Sequence, residues 1–210
     1  MPETAERVKE QEAVAVFYAT FHDHTRLIAE RIAASLGACG FAAKVHEVRE
    51  VQAFAPSGYT AAILAAPVHL GKHHKDMIDF VRRNRAALEQ LPTAFISATL
   101  SEVGVEQSFV TPEQHKQSVA DVQMMLNRFF TDTGWHPMRV NPVAGAICYT
   151  RYNFLLRFGM KQIAKKVGAG TDTSRDYDYT DWNALDAFVK EFAQEIRAVP
   201  AASRHDPVAV

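Results

Sequence analysis

The sequence predicts an α/β domain built on an open, doubly wound, five-stranded parallel sheet with helices on both faces. Three observations lead there. Short apolar runs alternate with segments of helical periodicity from Ala13 onward, and no internal repeat or hairpin turn signature interrupts them. The chain has 210 residues, enough for one substantial core, with 48% hydrophobic and 22% charged residues, a globular balance.

The first strand is Ala13 to Ala19 (AVAVFYA), an apolar run suited to burial on both faces. Thr25 to Leu36 carries Ile28, Ile32 and Leu36 at four-residue spacing, and Gly37 and Gly40 supply a helix stop. Lys44 to Val48 is the second strand and Thr60 to Ala66 (TAAILAA) the third. Lys75 to Leu88 reads as a helix with Ile78, Val81 and Leu88 inward, and Pro92 to Thr99 (PTAFISAT) as the fourth strand. Thr111, Pro112 and Gln114 form a helix start: a threonine cap, proline at the first helical position and glutamine closing a capping box. Val140 to Tyr149 is the fifth strand, interrupted by Pro142 and Gly145. Arg151 to Val167 is a basic amphipathic segment. Thr180-Asp181-Trp182 opens a last helix with Leu185, Phe188, Val189, Phe192 and Ile196 on one face. Residues 1–12 and 198–210 read as tails without a periodic apolar face, leaving 13–197 as the domain.

A formal net charge of −1 gives no general attraction to nucleic acid. Cys39 and Cys148 fit neither a disulfide framework nor a CxxC motif and read as buried thiols of a cytosolic protein. No run is long and apolar enough to span a bilayer, so the expectation is a cytoplasmic protein, at most peripheral on a membrane.

In sheets of this kind ligands bind outside the carboxyl ends of the strands, which directs attention to three loops. The first, Thr20-Phe21-His22-Asp23-His24-Thr25, lies between a strand and a helix N-terminus, with two hydroxyls and a run of amides suited to a phosphate. It contains no glycine, and Thr25 as a simple helix cap explains it equally well. The second, Pro67-Val68-His69-Leu70-Gly71 with Lys72, His73 and His74, suits the polar edge of a flat ring, and the third runs from Leu100 to Val110 after the fourth strand. The histidines of these loops raise a metal site, but no HxxxH pair or fixed carboxylate accompanies them, so solvated loop histidines are the better reading. The segment with Arg151, Tyr152, Arg157, Lys161, Lys165 and Lys166 fits a core helix with a solvated basic face, or an interfacial helix facing a partner or anionic lipid.

Three stretches, G-W-H-P-M-R-V, A-G-A-I-C-Y-T-R-Y-N-F-L-L-R-F-G-M-K and G-A-G-T-D-T-S-R-D-Y-D-Y-T-D-W, together with the order of the loops, resemble the flavodoxin-like, menaquinone-dependent protoporphyrinogen oxidases of bacterial haem synthesis. The resemblance runs from about Ala13 to Ile196. It implies strand order 2-1-3-4-5, an added basic helix after the fifth strand, and FMN as cofactor. The phosphate would sit on residues Thr20 to Thr25 and the ring on Pro67 to His74 and Ser97 to Leu100. It further implies oxidation of protoporphyrinogen IX with electrons passed to menaquinone or ubiquinone at the inner-membrane surface. The flavin carries the redox chemistry, and no catalytic side chain is singled out. Two positions depart from the family: Asp23 stands where glycine is usual, and His69 where arginine is common. An insertion is expected around Ser101 to Pro112. The alternatives are an electron carrier, an NAD(P)H or quinone reductase without porphyrinogen activity, and a scaffold without flavin. The oligomeric state, homo-oligomer included, is left open.

Overall fold

In the computed structural model, which describes residues 13–198, the central sheet begins with β1 (Ala13–Tyr18), buried along its whole length. It continues with β2 (Ala43–Glu47), β3 (Tyr59–His69), β5 (Thr93–Thr99) and β6 (Arg139–Ala144), all pairing in parallel in the order β2-β1-β3-β5-β6. With the two-residue strand β4 (Lys72–His73) set aside, this is the 2-1-3-4-5 order expected. The chain moves outward to β2 and then returns past β1 to β3, which makes the carboxyl ends of β1 and β3 the switch point.

Two helical layers follow from strand periodicity, since successive side chains point to opposite faces. Val14, Val16, Ile63 and Ile96 pack on one face under α1 (His24–Ala38) and α6 (Trp182–Ala198), meeting Ile28, Ile32, Leu36, Leu185, Phe192 and Ile196. Ala15, Phe17, Leu64 and Phe95 pack on the other under α2 (Lys75–Leu88) and α4 (Pro112–Thr133). There Phe95 stacks on Phe129 at 4.3 Å between ring centroids. The expected capping box at Thr111 is formed in both directions. Leu185, Phe188, Val189, Phe192 and Ile196 are all buried, as the periodicity of the last helix requires.

Three local expectations change. The second loop is a hairpin: Val68 pairs with His73 and His69 with Lys72, around a Leu70-Gly71 turn in which both residues have positive φ (50° and 72°). Gly71 suits such a turn but leucine disfavours that conformation, so the sequence carried no two-residue hairpin signature. It is anchored instead by the buried His73, whose Nε2 lies 2.8 Å from Ser97 Oγ. The expected fifth strand divides at Gly145, whose N–H donates to the Thr99 carbonyl at 3.2 Å. Ala146–Ile147 (β7) then leaves the main sheet and pairs antiparallel with Tyr177–Asp178 (β8). Between them lie a 3-10 turn (Tyr149–Arg151) and α5 (Phe154–Lys166), capped by Asn153. Cys39 and Cys148 are free thiols, half-buried rather than buried. The tails expected at 1–12 and 198–210 lie outside the described residues except for Ala198, which belongs to α6 instead.

After β5, the stretch expected as an insertion starts as a 3-10 turn (Leu100–Glu102) and α3 (Val103–Glu106), packed so closely on α4 that a Cβ on Gly104 would lie 2.0 Å from Ser118 Oγ. Glu102 is buried here and its Oε2 has no hydrogen-bond partner among the described residues. Burial, with the nearby Glu106 carboxylate, pushes its carboxyl from the ordinary 4.5 up to about 7. The folded chain then keeps a proton that the unfolded chain loses. The contribution of Glu102 to stability is therefore full below about pH 4.5 and falls as pH rises toward 7. In urea denaturation, Glu102→Gln should flatten this dependence and be more stable than the parent at pH 8 by at least about 1 kcal/mol. Parallel pH profiles for the two proteins would remove the effect from Glu102.

Candidate functional site

A cleft opens at the carboxyl ends of β1, β3 and β5. It is lined by Thr20, Phe21, His22, His24 and Thr25 from the first loop, Pro67, Val68 and His69 from the second, and Ala98 and Leu100 from the third. The structure thus brings the three sequence-derived loops into one site. Its other wall comes from Gly145, Ala146, Cys148, Tyr152 and Met160. Of these only Tyr152 was singled out from sequence. The A-G-A-I-C-Y stretch signalled the rest only as a motif, because its approach to Thr20–Thr25 depends on the departure of the chain at Gly145.

The first loop has the electrostatics of an anion site. The first intrahelical bond of α1 is Leu27 N–H to the Asp23 carbonyl, and no side chain caps the helix, so its opening amides face the cleft end with the positive pole of the helix. Thr25 is buried in this turn and is not the cap. Asp23 takes the cap position with φ 66°, the conformation for which glycine is usual. Its carboxylate lies outside the cleft, 3.8 Å from Arg26 Nε and 3.5 Å from Arg151 Nη1. Arg151 also donates to the His22 carbonyl at 3.4 Å, holding the loop from outside.

The histidines have separate roles. His24 Nε2 lies 2.8 Å from Thr180 Oγ1, and since that hydroxyl donates to the Ala144 carbonyl, also at 2.8 Å, the imidazole is the donor to it. Burial lowers the His24 pKa, with Asp178 pulling the other way. Burial lowers His22 too, aided by His69 and Arg151. His73 is pushed down to about 4 by burial. His74 caps α2, accepting from Asp76 N–H at 3.2 Å. Among the described residues no group of three or more His, Cys, Asp or Glu could share a metal ion.

Besides Asp23, four of the loop candidates lie off the cleft. Ser97 is buried against His73, while Leu70, Gly71 and Thr99 border a neighbouring cavity. The basic segment also divides. The Arg157 guanidinium donates to the Tyr149 and Tyr152 carbonyls at 3.1 and 3.2 Å, tying α5 to the 3-10 turn rather than facing outward. Lys161, Lys165 and Lys166 are exposed, as are Phe154 (83%), Leu155 (81%) and Phe158 (61%). No helix among the described residues is long and apolar enough to cross a membrane.

A doubly wound sheet with an anion-receptive helix start at its switch point defines a nucleotide-cleft α/β protein. Residues 15–174 match the flavodoxin domain model, and the chain belongs to that family, whose cofactor is FMN. The chain is therefore a flavin-binding protein, and the uncapped amides, threonine hydroxyls and partly apolar walls of the cleft fit such a group. It is 28% identical over 186 residues to a protoporphyrinogen IX dehydrogenase [quinone] of Leishmania major, covering 88% of this chain and 76% of that one. It is 29% identical over 178 residues to the protein of the same name from Escherichia coli (strain K12), covering 85% and 93%. A solved flavodoxin from the domain Archaea aligns with a TM-score of 0.48 at 10% identity, covering 88% of this chain and 99% of that one.

The conformation of Asp23 sets a test of what the position requires. Asp23→Gly should leave folding stability within about 1 kcal/mol, since relief of positive φ offsets the loss of two exposed ion pairs. Asp23→Val, which cannot adopt that geometry readily, should cost about 1–2 kcal/mol in urea or thermal denaturation. Equal losses in both variants would mean that the carboxylate, not the backbone, is what the site needs.

Proposed function

We propose that this protein is an FMN-dependent oxidoreductase that converts protoporphyrinogen IX to protoporphyrin IX and delivers the electrons to a membrane quinone, menaquinone or ubiquinone. The observation that carries this reading is the second wall of the cleft. The segment from Gly145 to Met160 adds an apolar side to the switch-point crevice, a surface suited to a flat apolar substrate beside the cofactor. The names of the curated relatives point to the same reaction.

In this reading Thr20, Thr25 and the amides of Phe21 to Thr25 hold the phosphate. The hairpin residues Pro67 to His69, with Ala98 and Leu100, border the flavin ring, and Tyr152 and Met160 form the wall toward the substrate. Bound flavin supplies the two-electron chemistry needed at each of three successive oxidations of the porphyrinogen. The protein contributes binding, orientation and exclusion of water. Burial disfavours the charged forms of His22 and His24 at the phosphate end, and Arg151 restrains the loop against opening.

The same reading gives the outer side of α5 a purpose. Phe154, Leu155 and Phe158 enter the lipid boundary, with Lys161 and Lys165 meeting anionic headgroups, which places the protein peripherally on the cytoplasmic face of the inner membrane. Both proposed redox partners are apolar and concentrate there.

Anaerobic addition of protoporphyrinogen IX to the FMN-loaded protein should bleach the visible flavin band, and added quinone should restore it. A flavin band that porphyrinogen leaves intact but a reduced nicotinamide bleaches would replace this function with that of a quinone reductase. In flotation with anionic vesicles, replacing Phe154, Leu155 and Phe158 together by Ser should weaken binding about tenfold or more, and salt should weaken the parent. A variant that floats normally but elutes as a smaller species in gel filtration would assign this face to a second copy of the chain.

A further inference from the structure

Beside the flavin cleft, a second cavity of about 290 Å³ opens between α4 and α5. Val68, His69, Leu100 and Met160 line both spaces, so the two share a wall. Its inner surface is largely methionine and aliphatic, with Met125 and Val167 buried and Ile163 half-buried. Met124 (57% exposed) and Leu70 (74%) stand at the rim. Thioether side chains adapt their shape to flat, polarisable rings.

One charge of each sign borders the cavity. Asp121 lies on the α4 side, its carboxylate accepting from Gln117 Nε2 at 2.8 Å, one turn back, while keeping its charge, so an anionic ligand edge is directed away from α4. Lys166 borders the opposite side from the end of α5. Gln114 Nε2 donates to the Lys166 carbonyl at 3.2 Å, while the Lys166 ammonium has no ion-pair partner among the described residues. An uncommitted cation beside an apolar slot suits a ligand whose ring is apolar and whose edge is anionic. A quinone carbonyl can accept a hydrogen bond from it, whereas only an anionic edge also balances its charge. The volume is at the small end of ligand sites and fits one edge of a macrocycle rather than the whole.

We infer that this cavity seats the carboxylate-bearing edge of the tetrapyrrole, with Lys166 as counter-ion to a propionate, so that the macrocycle lies across the shared wall toward the flavin cleft. The assignment rests on the function proposed above and adds to it where the substrate sits and which of the basic residues reads its charge.

The test uses the FMN-loaded full chain without lipid, and two probes: protoporphyrin IX, which keeps both propionates, and its neutral dimethyl ester. Binding is read from porphyrin fluorescence. The parent should bind the diacid more tightly than the ester. Lys166→Met should weaken the diacid about fivefold and leave the ester unchanged, and Lys166→Arg should restore the diacid. Met124→Trp, at an exposed rim position that tolerates a larger side chain, should weaken both probes, and FMN affinity should be the same in every variant. Diacid binding indifferent to Lys166→Met and Met124→Trp would overturn the cavity assignment while leaving porphyrinogen oxidation standing. Loss of a short-chain quinone, but not porphyrin, in Met124→Trp would reassign the cavity to the electron acceptor. A parent protein that binds neither porphyrin would bring down this inference and the proposed reaction together.

Discussion

The burial of β1 and β3 on both faces is the constraint from which the rest of the molecule follows. Val14, Ala15, Val16, Ile63 and Leu64 have no exposed surface, and neighbouring residues of each strand serve opposite cores. Such strands need helices above and below, and parallel pairing requires each connection to cross a layer before the next strand begins. The crossings deliver every βα loop to the same sheet edge. Thr20–Thr25, Pro67–His69 and Ala98–Leu100 meet because of that bookkeeping of direction, although more than seventy residues separate the first from the last.

Onto this frame the segment after Gly145 adds a small third core. Val103, Ile147, Tyr149, Ala164, Val167 and Ala169 are buried together there, away from both faces of the main sheet. Tyrosines close it: Tyr149 Oη donates to the Gly170 carbonyl at 3.1 Å, and Tyr179 Oη accepts from Gly170 N–H at 2.5 Å. Gly170 is held so closely that a Cβ there would lie 2.3 Å from the Tyr177 ring. This anchoring explains how α5 can do two things. Its inner side walls the cleft and neighbouring cavity, while Phe154, Leu155 and Phe158 face solvent without the helix depending on them for its packing.

The first loop reaches the geometry of a glycine-bearing loop by a different chemical route. Asp23 accepts the positive φ, a cost that a short polar side chain bears more easily than a branched one, and Arg26 and Arg151 balance its charge outside the cleft. The carboxylate therefore does not compete with an anion for the amides of α1. His24 joins the loop to the far end of the chain through Thr180, linking residues 156 positions apart.

The sequence by itself determined the elements whose causes are local. Continuous apolar runs specified the buried strands, four-residue spacing the faces of α1 and α6, and Thr111-Pro112-Gln114 the start of α4. The alternation of strands and helices directed attention to the loops, and the family motifs implied the strand order. Only tertiary structure decided the features set by contacts distant in sequence: the Leu70-Gly71 hairpin anchored by His73 on Ser97, the division of the last strand where Gly145 bonds to Thr99, and the turning of Arg157 onto backbone carbonyls. Periodicity reports which side of an element is buried but not what lies against it, so the sequence could name the loops of the cleft and not the wall that completes it.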